Sequence, residues 1–507
     1  MLYVLAALLG ALHSLAFAPT PSGVLQIIIL AGLLAILRVS ARPARVMLVF
    51  GVAWFCSGLY WLHFSMHDIG GLPTVLSVAL VLFLALCLAG FYAVAVHFWT
   101  RWRVGAKSEL LALCVAFPLC WLAAELARGY VFFGGFPWLA SGYAHVDNVL
   151  LKGWFAVLGV YGVGLWAAFL AGVLLSAILW VLKKIELGVK TAVVLGMSAA
   201  ALLVVGLILQ GVSWGQNAGA PFAVRIVQPN IAQNLKFDPV EMRKNTNILM
   251  QQAASSQSAL TVFPETALPF AWNELPDELL TPLQASLTHQ RAVLMGGVGV
   301  DEKGFYNSAM WLDAKADMRN PTRYDKNHLL PMGERIPVGF KWLVDAMQIP
   351  LGGYQAGNGF KPFVLNNVRI SANICYENEF GEDLIKAWQN GDDNAPNVWV
   401  NMTNLGWFGT ANISPNQAQH LQMSRARAME MARPMIVATN TGTSANIDAM
   451  GVVLDTLPAD VVSSVEVQVQ PRSGITPYIA LGNAPLLALL SIVFGLMVLR
   501  RHRQVDI

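Results

Sequence analysis

Charge is what this chain has least of. Only 12% of its 507 residues are charged and 56% are hydrophobic, against about 25% charged in ordinary soluble domains. A deficit of that size argues against a fully water-exposed protein and points to a membrane protein. The mean hydropathy of +0.53 agrees. The formal net charge is only +3. No basic stripe interleaves with aromatics, so no nucleic-acid partner is expected. Cysteine is scarce as well, with five in all. Cys56, Cys87, Cys114 and Cys120 stand in long apolar runs, where a thiol behaves as a small hydrophobe. Only Cys375 is left in the polar region, so no disulfide is expected there. There is no Cys-x-x-Cys pair and no Cys/His cluster at zinc spacing, so no metal or other cofactor is expected. Internal repeats and low-complexity tracts are absent.

A bilayer-spanning helix needs about 20 mostly apolar residues. Seven such runs precede residue 213, at 2–18, 23–39, 45–66, 74–99, 108–127, 153–182 and 191–212, and an eighth covers 483–499. The expected organisation is a seven-helix transmembrane domain at 1–212, a polar domain at 213–480, and an eighth transmembrane helix with its tail at 481–507. The polar stretch is long enough for its own core. Basic residues sort by loop. Arg38, Arg42 and Arg45, then Arg101, Arg103 and Lys107, then Lys183, Lys184 and Lys190, and finally Arg500, Arg501 and Arg503 all fall on one side. The alternate loops 18–22 and 67–73 carry no Lys or Arg. Cytoplasmic loops hold the excess of Lys and Arg. Both termini are therefore expected inside and the polar domain outside, which in a bacterium with two membranes is the periplasm. Within the spans few charges are expected: Glu109 and Glu125 lie near predicted helix ends, and Lys and Arg are confined to loops. Residues 1–18, ending Ala16-Phe17-Ala18, resemble a signal peptide, but the basic leading region is missing and Pro19 would follow the cut.

The polar domain reads as mixed α/β. Short apolar or β-branched runs at 224–228, 260–263, 292–300, 368–374, 398–401 and 435–439 predict strands. Residues 239–257 and 417–432 carry apolar residues at helical spacing. Strands alternating with helices predict layered sheets flanked by helices.

Three stretches of that domain carry chemistry. In SANICYENEF (371–380), Cys375 ends a strand-like run. Taken alone, a free cysteine is more often packing than chemistry. In TVFPETALP (261–269), Glu265 stands just past a strand, where it could equally be an acid near a helix start. In YDKNHLLPMGERIP (324–337), Lys326, His328, Glu334 and Arg335 crowd a segment that could be a solvated loop. Together they supply a thiol, a base and a cation, each beside a probable strand end. Acyl transfer through a thioester needs that set: a base for the thiol proton, a cation for the oxyanion, and sulfur to attack the carbonyl.

Strand-Pro-Glu, then Y-x-K-x-H-L-x-P-x-G-E, then a strand running into Cys-Tyr-Glu resemble the Glu-Lys-Cys triad of the nitrilase superfamily. LAFAP (15–19), SGLYWL (57–62) and ELARGYVFFGGFPWLASGY (125–143) resemble the membrane part of the apolipoprotein N-acyltransferase family. NLGWFG (404–409) and SRARAMEMARP (424–434) are similar to its outer domain. The resemblance covers nearly the whole chain. It implies eight transmembrane helices carrying an α/β nitrilase-like αββα sandwich. It implies transfer of an acyl chain from a phospholipid, typically phosphatidylethanolamine, to the α-amino group of a diacylglyceryl-cysteine lipoprotein. Cys375 would be the nucleophile, Glu265 the general base and Lys326 the oxyanion stabiliser. Glu334 would support them, Tyr376 and Glu377 would shape the site, and Asn307 and Trp407 would line it. Phe237, in LKFD, stands where some members have tryptophan, which leaves an acyl groove possible without an indole N–H.

Extracting a lipid chain from the bilayer costs about 0.8 kcal/mol per CH₂, so such a domain must work at the membrane surface. The loops FFGGFPWLASGY, GWFG and IPLGGYQAG (349–357) have the aromatic content favoured at headgroup level, although each could also be ordinary packing. A monomer is expected. Two other readings fit parts of the chain. A membrane-tethered amidase would use the same triad but leaves the preceding spans unexplained. A transporter with an inert outer domain would call for charges within the membrane.

Overall fold

Long apolar runs fold here as helices, and the polar region folds as two sheets. The computed structural model describes residues 1–105, 109–346, 353–389, 391 and 395–505. Lys107, residues 349–352 of the aromatic loop and the side chains of Arg500, Arg501 and Arg503 lie outside the described residues. The chain divides into two units. One comprises Met1–Tyr60, Val81–Ser213 and Thr476–Ile507, the other Trp61–Leu80 and Trp214–Ile475.

Among the described residues, four helical stretches are long and apolar enough to cross a membrane: Thr74–Arg103 (whose first residues belong to the second unit), Glu109–Tyr130, Lys152–Val181 and Val189–Gln210. Pro43–Leu59 and Leu62–Ile69 make a fifth if that bent pair is one span. Among the described residues four or five is fewer than the eight apolar runs, and two of the runs fold as shorter helices. The first run stops at Ser14, because Ala16, Phe17 and Ala18 are buried in a turn and Ser22 caps the next helix by accepting from Leu25 N at 3.3 Å. Leu2–Ser14 has 13 residues, about 20 Å of helix against a hydrocarbon core of about 30 Å. Gly23–Val39, with 17 residues, is also short, whereas the last run folds as a 22-residue helix, Ala484–Val505.

The reading that confined Lys and Arg to loops is corrected by the first unit. Helix Phe117–Tyr130 runs past the predicted end and buries both Glu125 and Arg128 completely. Burial of such groups requires partners, and they have them. Glu125 Oε1 accepts from Ser141 N and Ser141 Oγ, both at 2.7 Å. Arg128 Nη1 donates to the carbonyls of Phe136 (2.6 Å) and Trp138 (2.7 Å), and its guanidinium lies over Phe55. The two side chains thus fasten the loop that follows their own helix. Most of FFGGFPWLASGY is consequently interior, with Trp138 and Tyr143 buried and Phe133 exposed.

In the second unit all six expected runs are strands, their ends shifted by at most two residues, and six more join them in two large sheets, apart from a two-residue pair of Gln216–Asn217 with Arg472–Ser473. In chain order they are β1 Phe222–Gln228, β2 Leu260–Val262, β3 Ala292–Asp301, β4 Gly304–Leu312, β5 Thr322–Asp325, β6 Phe363–Leu365, β7 Val368–Ile374, β8 Val398–Thr403, β9 Met435–Thr439, β10 Ala445–Ile447, β11 Val453–Thr456 and β12 Ser463–Val469. They form two six-stranded sheets, ordered β12-β1-β2-β3-β4-β5 and β11-β10-β9-β8-β7-β6. In each sheet three adjacent strands run parallel, β1-β2-β3 in one and β7-β8-β9 in the other. Parallel strands deliver their following loops to one edge, where sites in α/β proteins collect.

The sheets face each other, β1 against β9, with Thr439 Oγ1 donating to Gln228 Oε1 at 3.4 Å. Helices Pro239–Ser255 and Asp277–Ser286 cover the first sheet through Leu249, Met250, Leu280 and Leu283 on Phe263, Met295 and Met310. Helix Asn416–Met431 packs on β9 and β10. The order is helix, sheet, sheet, helix. The segment Trp61–Leu80 adds to this unit: Trp61 packs edge-on against Phe408 (4.9 Å), and Leu72 packs with Leu343 beside Met66, Met332 and Phe340.

Candidate active site

Both sheets contribute to one polar cluster. β2 ends at Val262, and Glu265 follows after Phe263 and Pro264. β5 ends at Asp325, and Lys326 is the next residue. Asn307 lies on β4, and Lys326 N donates to its carbonyl at 2.9 Å. From the other sheet, Cys375 follows β7 directly, and Thr403 and Asn404 close β8.

Lys326 is fully buried between two carboxylates. Its Nζ lies 2.9 Å from Glu334 Oε2 and 3.5 Å from Glu265 Oε1. Burial alone would lower its pKa, but Glu334 and then Glu265 outweigh burial and hold it above the ordinary lysine value. The charge is locked on. Asn307 Nδ2 bridges the same two acids, donating to Glu265 Oε1 at 2.8 Å and Glu334 Oε1 at 2.7 Å. Glu334 Oε2 accepts from Leu330 N at 2.8 Å, and Glu265 Oε2 from Asn404 N at 2.8 Å.

Cys375 remains partly exposed. Its φ of +51° is a left-handed conformation that a non-glycine residue adopts only where surroundings enforce it. Burial raises the thiol pKa above the usual value, and Glu265 adds to that; Lys326 and the nearby Thr403 hydroxyl pull the other way without reversing it. The resting sulfur is therefore protonated and needs a base at the moment of attack.

Glu377 ties the two sheets' loops together. Its Oε2 accepts from Ile374 N (2.7 Å), while Oε1 accepts from Tyr324 OH (2.8 Å), Asn327 N (2.7 Å) and His328 N (3.1 Å). One carboxylate thus fixes the residue before Cys375 together with Tyr324, two residues before Lys326, and Asn327 and His328 just after it. Tyr376 is buried, with its ring against Phe380 and His328. His328 itself pairs with Asp383 at 2.9 Å rather than with the acids around Lys326, and Arg335 is exposed. Trp407 and Phe237 are half-buried. Among the described residues no hydrogen bond or ring contact joins either to Glu265, Lys326 or Cys375.

Four side chains of the site were not singled out from the sequence. Thr403 and Asn404 follow a strand-like run with no charged residue to mark them. Tyr354 is pushed up to about 12 by burial and by Glu334 and Glu265. Lys236 is buried with Nζ 3.4 Å from the Glu265 carbonyl. A buried basic residue next to Phe237 in LKFD was the available signal. Burial lowers Lys236 to about 8, although Glu265 works the other way.

That shift has a measurable sign. An unfolded lysine titrates near 10.4. Below pH 8 Lys236 is charged in both states and the fold bears the burial cost. Between about 8 and 10.4 the unfolded chain binds the extra proton, so stability rises with pH. Lys236→Met is therefore expected to raise the thermal midpoint at pH 7, by up to about 3 kcal/mol of stability. The gain over wild type should fade as pH approaches 10. Thermal unfolding of both proteins at pH 7, 8.5 and 10 checks this, and a gain constant across those values refutes it.

Comparison with known proteins agrees along the chain. The model for the apolipoprotein N-acyltransferase N-terminal domain matches residues 9–173, and that for carbon-nitrogen hydrolase matches residues 223–473. The chain is 37% identical over 505 residues to an apolipoprotein N-acyltransferase of Ralstonia nicotianae, covering 98% of this chain and 93% of that protein. It is 37% identical over 524 residues to one of Bordetella bronchiseptica, covering 96% and 94%. Among solved structures, a CN-hydrolase superfamily protein from Xanthomonas campestris aligns with 54% of this chain and 97% of its own, at 19% identity and a TM-score of 0.35. With each half matched by its own model and nearly the full length aligned to relatives of one name, the chain belongs to the apolipoprotein N-acyltransferase family.

Proposed function

We propose that this chain is an N-acyltransferase that moves an acyl chain from a phospholipid, phosphatidylethanolamine being the expected donor, to the α-amino group of the diacylglyceryl-cysteine of an apolipoprotein. This is the last step of bacterial lipoprotein maturation. Catalysis is a two-step exchange. Glu265 takes the Cys375 proton as sulfur attacks the ester carbonyl. The oxyanion faces Lys326. Collapse breaks the ester C–O bond, and the lysophospholipid oxygen leaves with the proton from Glu265. The lipoprotein amine then attacks the thioester and gives its proton to Glu265. Collapse breaks the C–S bond, and the sulfur regains that proton. An apolar chain held in the site keeps water from the thioester.

One observation carries this reading: the Lys326 ammonium is ion-paired to both Glu265 and Glu334, and its charge acts on the neutral Cys375 thiol. A cation that cannot lose its proton suits an oxyanion, and an anionic Glu265 suits a thiol that is not yet ionised. In this reading the protein is a monomer in the bacterial inner membrane with eight spans, both termini cytoplasmic and the catalytic domain periplasmic. The Lys and Arg sorting among loops supports that orientation.

Purified protein incubated with phosphatidylethanolamine should gain one acyl mass on Cys375, and adding a diacylated lipopeptide should discharge it to triacylated product. Active enzyme that shows no adduct refutes the covalent route. Lys326→Ala is expected to lower the rate by at least about a hundredfold, as losing an oxyanion donor does. Retained activity would remove Lys326 from the mechanism.

A further inference from the structure

The strained turn at Cys375 is gripped from one helix. On Asn416–Met431, the His420 Nε2 lies 3.4 Å from the Cys375 carbonyl oxygen. One turn on, Ser424 Oγ accepts from Asn378 Nδ2 at 2.8 Å and donates to the His420 carbonyl at 3.1 Å. A carbonyl oxygen only accepts, so the His420 Nε2 carries the hydrogen. Burial lowers His420 to about 4, so the ring is neutral at pH 7 and adds no charge beside the sulfur.

The held carbonyl belongs to the Cys375–Tyr376 peptide, which is trans. In a trans peptide the C=O and N–H lie in one plane and point in opposite directions. Fixing Cys375 O therefore aims the Tyr376 N–H. Backbone N–H groups beside a nucleophile are effective oxyanion donors when aimed at the developing charge. Cys375 opens the short 3-10 turn Cys375–Glu379 at φ +51°, a conformation its surroundings must hold, and the His420 contact adds a side-chain hold to its carbonyl.

We propose that His420 is a positioning residue for acyl transfer: it sets the plane of the Cys375–Tyr376 peptide, so that this N–H and Lys326 meet the oxyanion together. The inference rests on Cys375 being the nucleophile. It assigns His420 to the stabilisation of the tetrahedral intermediate, not to ionisation of the thiol.

The test uses the full-length protein in detergent with phosphatidylethanolamine and a diacylated lipopeptide. His420→Phe should lower kcat about 10- to 100-fold, less than or equal to the loss of a whole oxyanion donor, with KM unchanged. Alkylation of Cys375 by iodoacetamide needs the thiolate but forms no oxyanion, so its rate should stay at the wild-type value. His420→Gln, whose amide nitrogen takes the place of Nε2, should recover most of kcat. His420→Asn, too short to reach the carbonyl, should not. Unchanged kcat in His420→Phe overturns the proposal, and so does alkylation that falls in step with kcat. If His420→Phe does not fold, the Gln and Asn variants decide, and equal kcat for those two refutes the assignment. Transfer that survives in Cys375→Ala would sink the nucleophile reading itself. An inactive Cys375→Ala beside unaffected His420 variants would sink only this inference.

Discussion

Cys375→Ala is expected to lower transfer by at least about 10⁴-fold and to abolish the acyl adduct, since without sulfur no covalent intermediate forms. The effect should be chemical and not structural. The side chain is small and partly exposed. The turn is held instead through main-chain atoms, by Glu377 at Ile374 N and His420 at Cys375 O. Alanine at the same left-handed φ inherits the strain unchanged. The thermal midpoint should therefore stay near that of wild type while activity disappears. Cys56→Ala, altering a thiol in an apolar helix, is the matching control and should transfer normally. Residual activity above the stated loss would mean that acyl transfer passes through another group.

The second large effect is expected from Glu265→Gln, with a fall of about 10³-fold in kcat, within the usual range for a lost general base. The geometry makes this substitution severe despite its matching shape. Glu265 Oε1 accepts from Asn307 and Lys326, and Oε2 from the Asn404 N–H. An amide has one oxygen and one NH₂, so one of those donors would face another donor. It also removes one of the two negative charges that hold Lys326, leaving Glu334 to keep it protonated. Oxyanion stabilisation should thus survive while thiol activation fails. The acyl adduct should then form slowly, so single-turnover acylation must fall with kcat. Acylation at the wild-type rate would show that Glu265 is not the base for the first step.

Legibility in the sequence followed local signal. Cys375 and Glu265 each stand just past a strand with strong β-branched or apolar content, so their elements and strand-end positions could be read directly; the strand before Lys326, Thr322–Asp325, is short and largely polar and gave no such signal. Asn307, and the supporting role of Glu334, came only through motif resemblance, because nothing local distinguishes an amide that bridges two acids across 27 and 42 residues. β6, β10 and β11 are too short to show a period. β12 was not among the strand-like runs, although Val465, Val467 and Val469 alternate with polar residues in the ordinary way. The end of the first apolar run was not legible, since hydropathy does not register a turn made of Ala and Phe. Glu125 reads as near a helix end and Arg128 as a loop residue because a charged residue closes a hydropathy window; that Arg128 finds its partners among carbonyls of the next loop is a tertiary matter.

Glu377 has a consequence for how substrates are admitted. Four bonds from one acid rivet the loop bearing the ammonium to the turn bearing the sulfur, so these two cannot drift apart without uncovering a buried charge. Two bulky lipids must nevertheless come and go in each cycle. The catalytic frame has to stay rigid through both visits, and whatever yields to a tail or a headgroup must belong to segments outside that rivet.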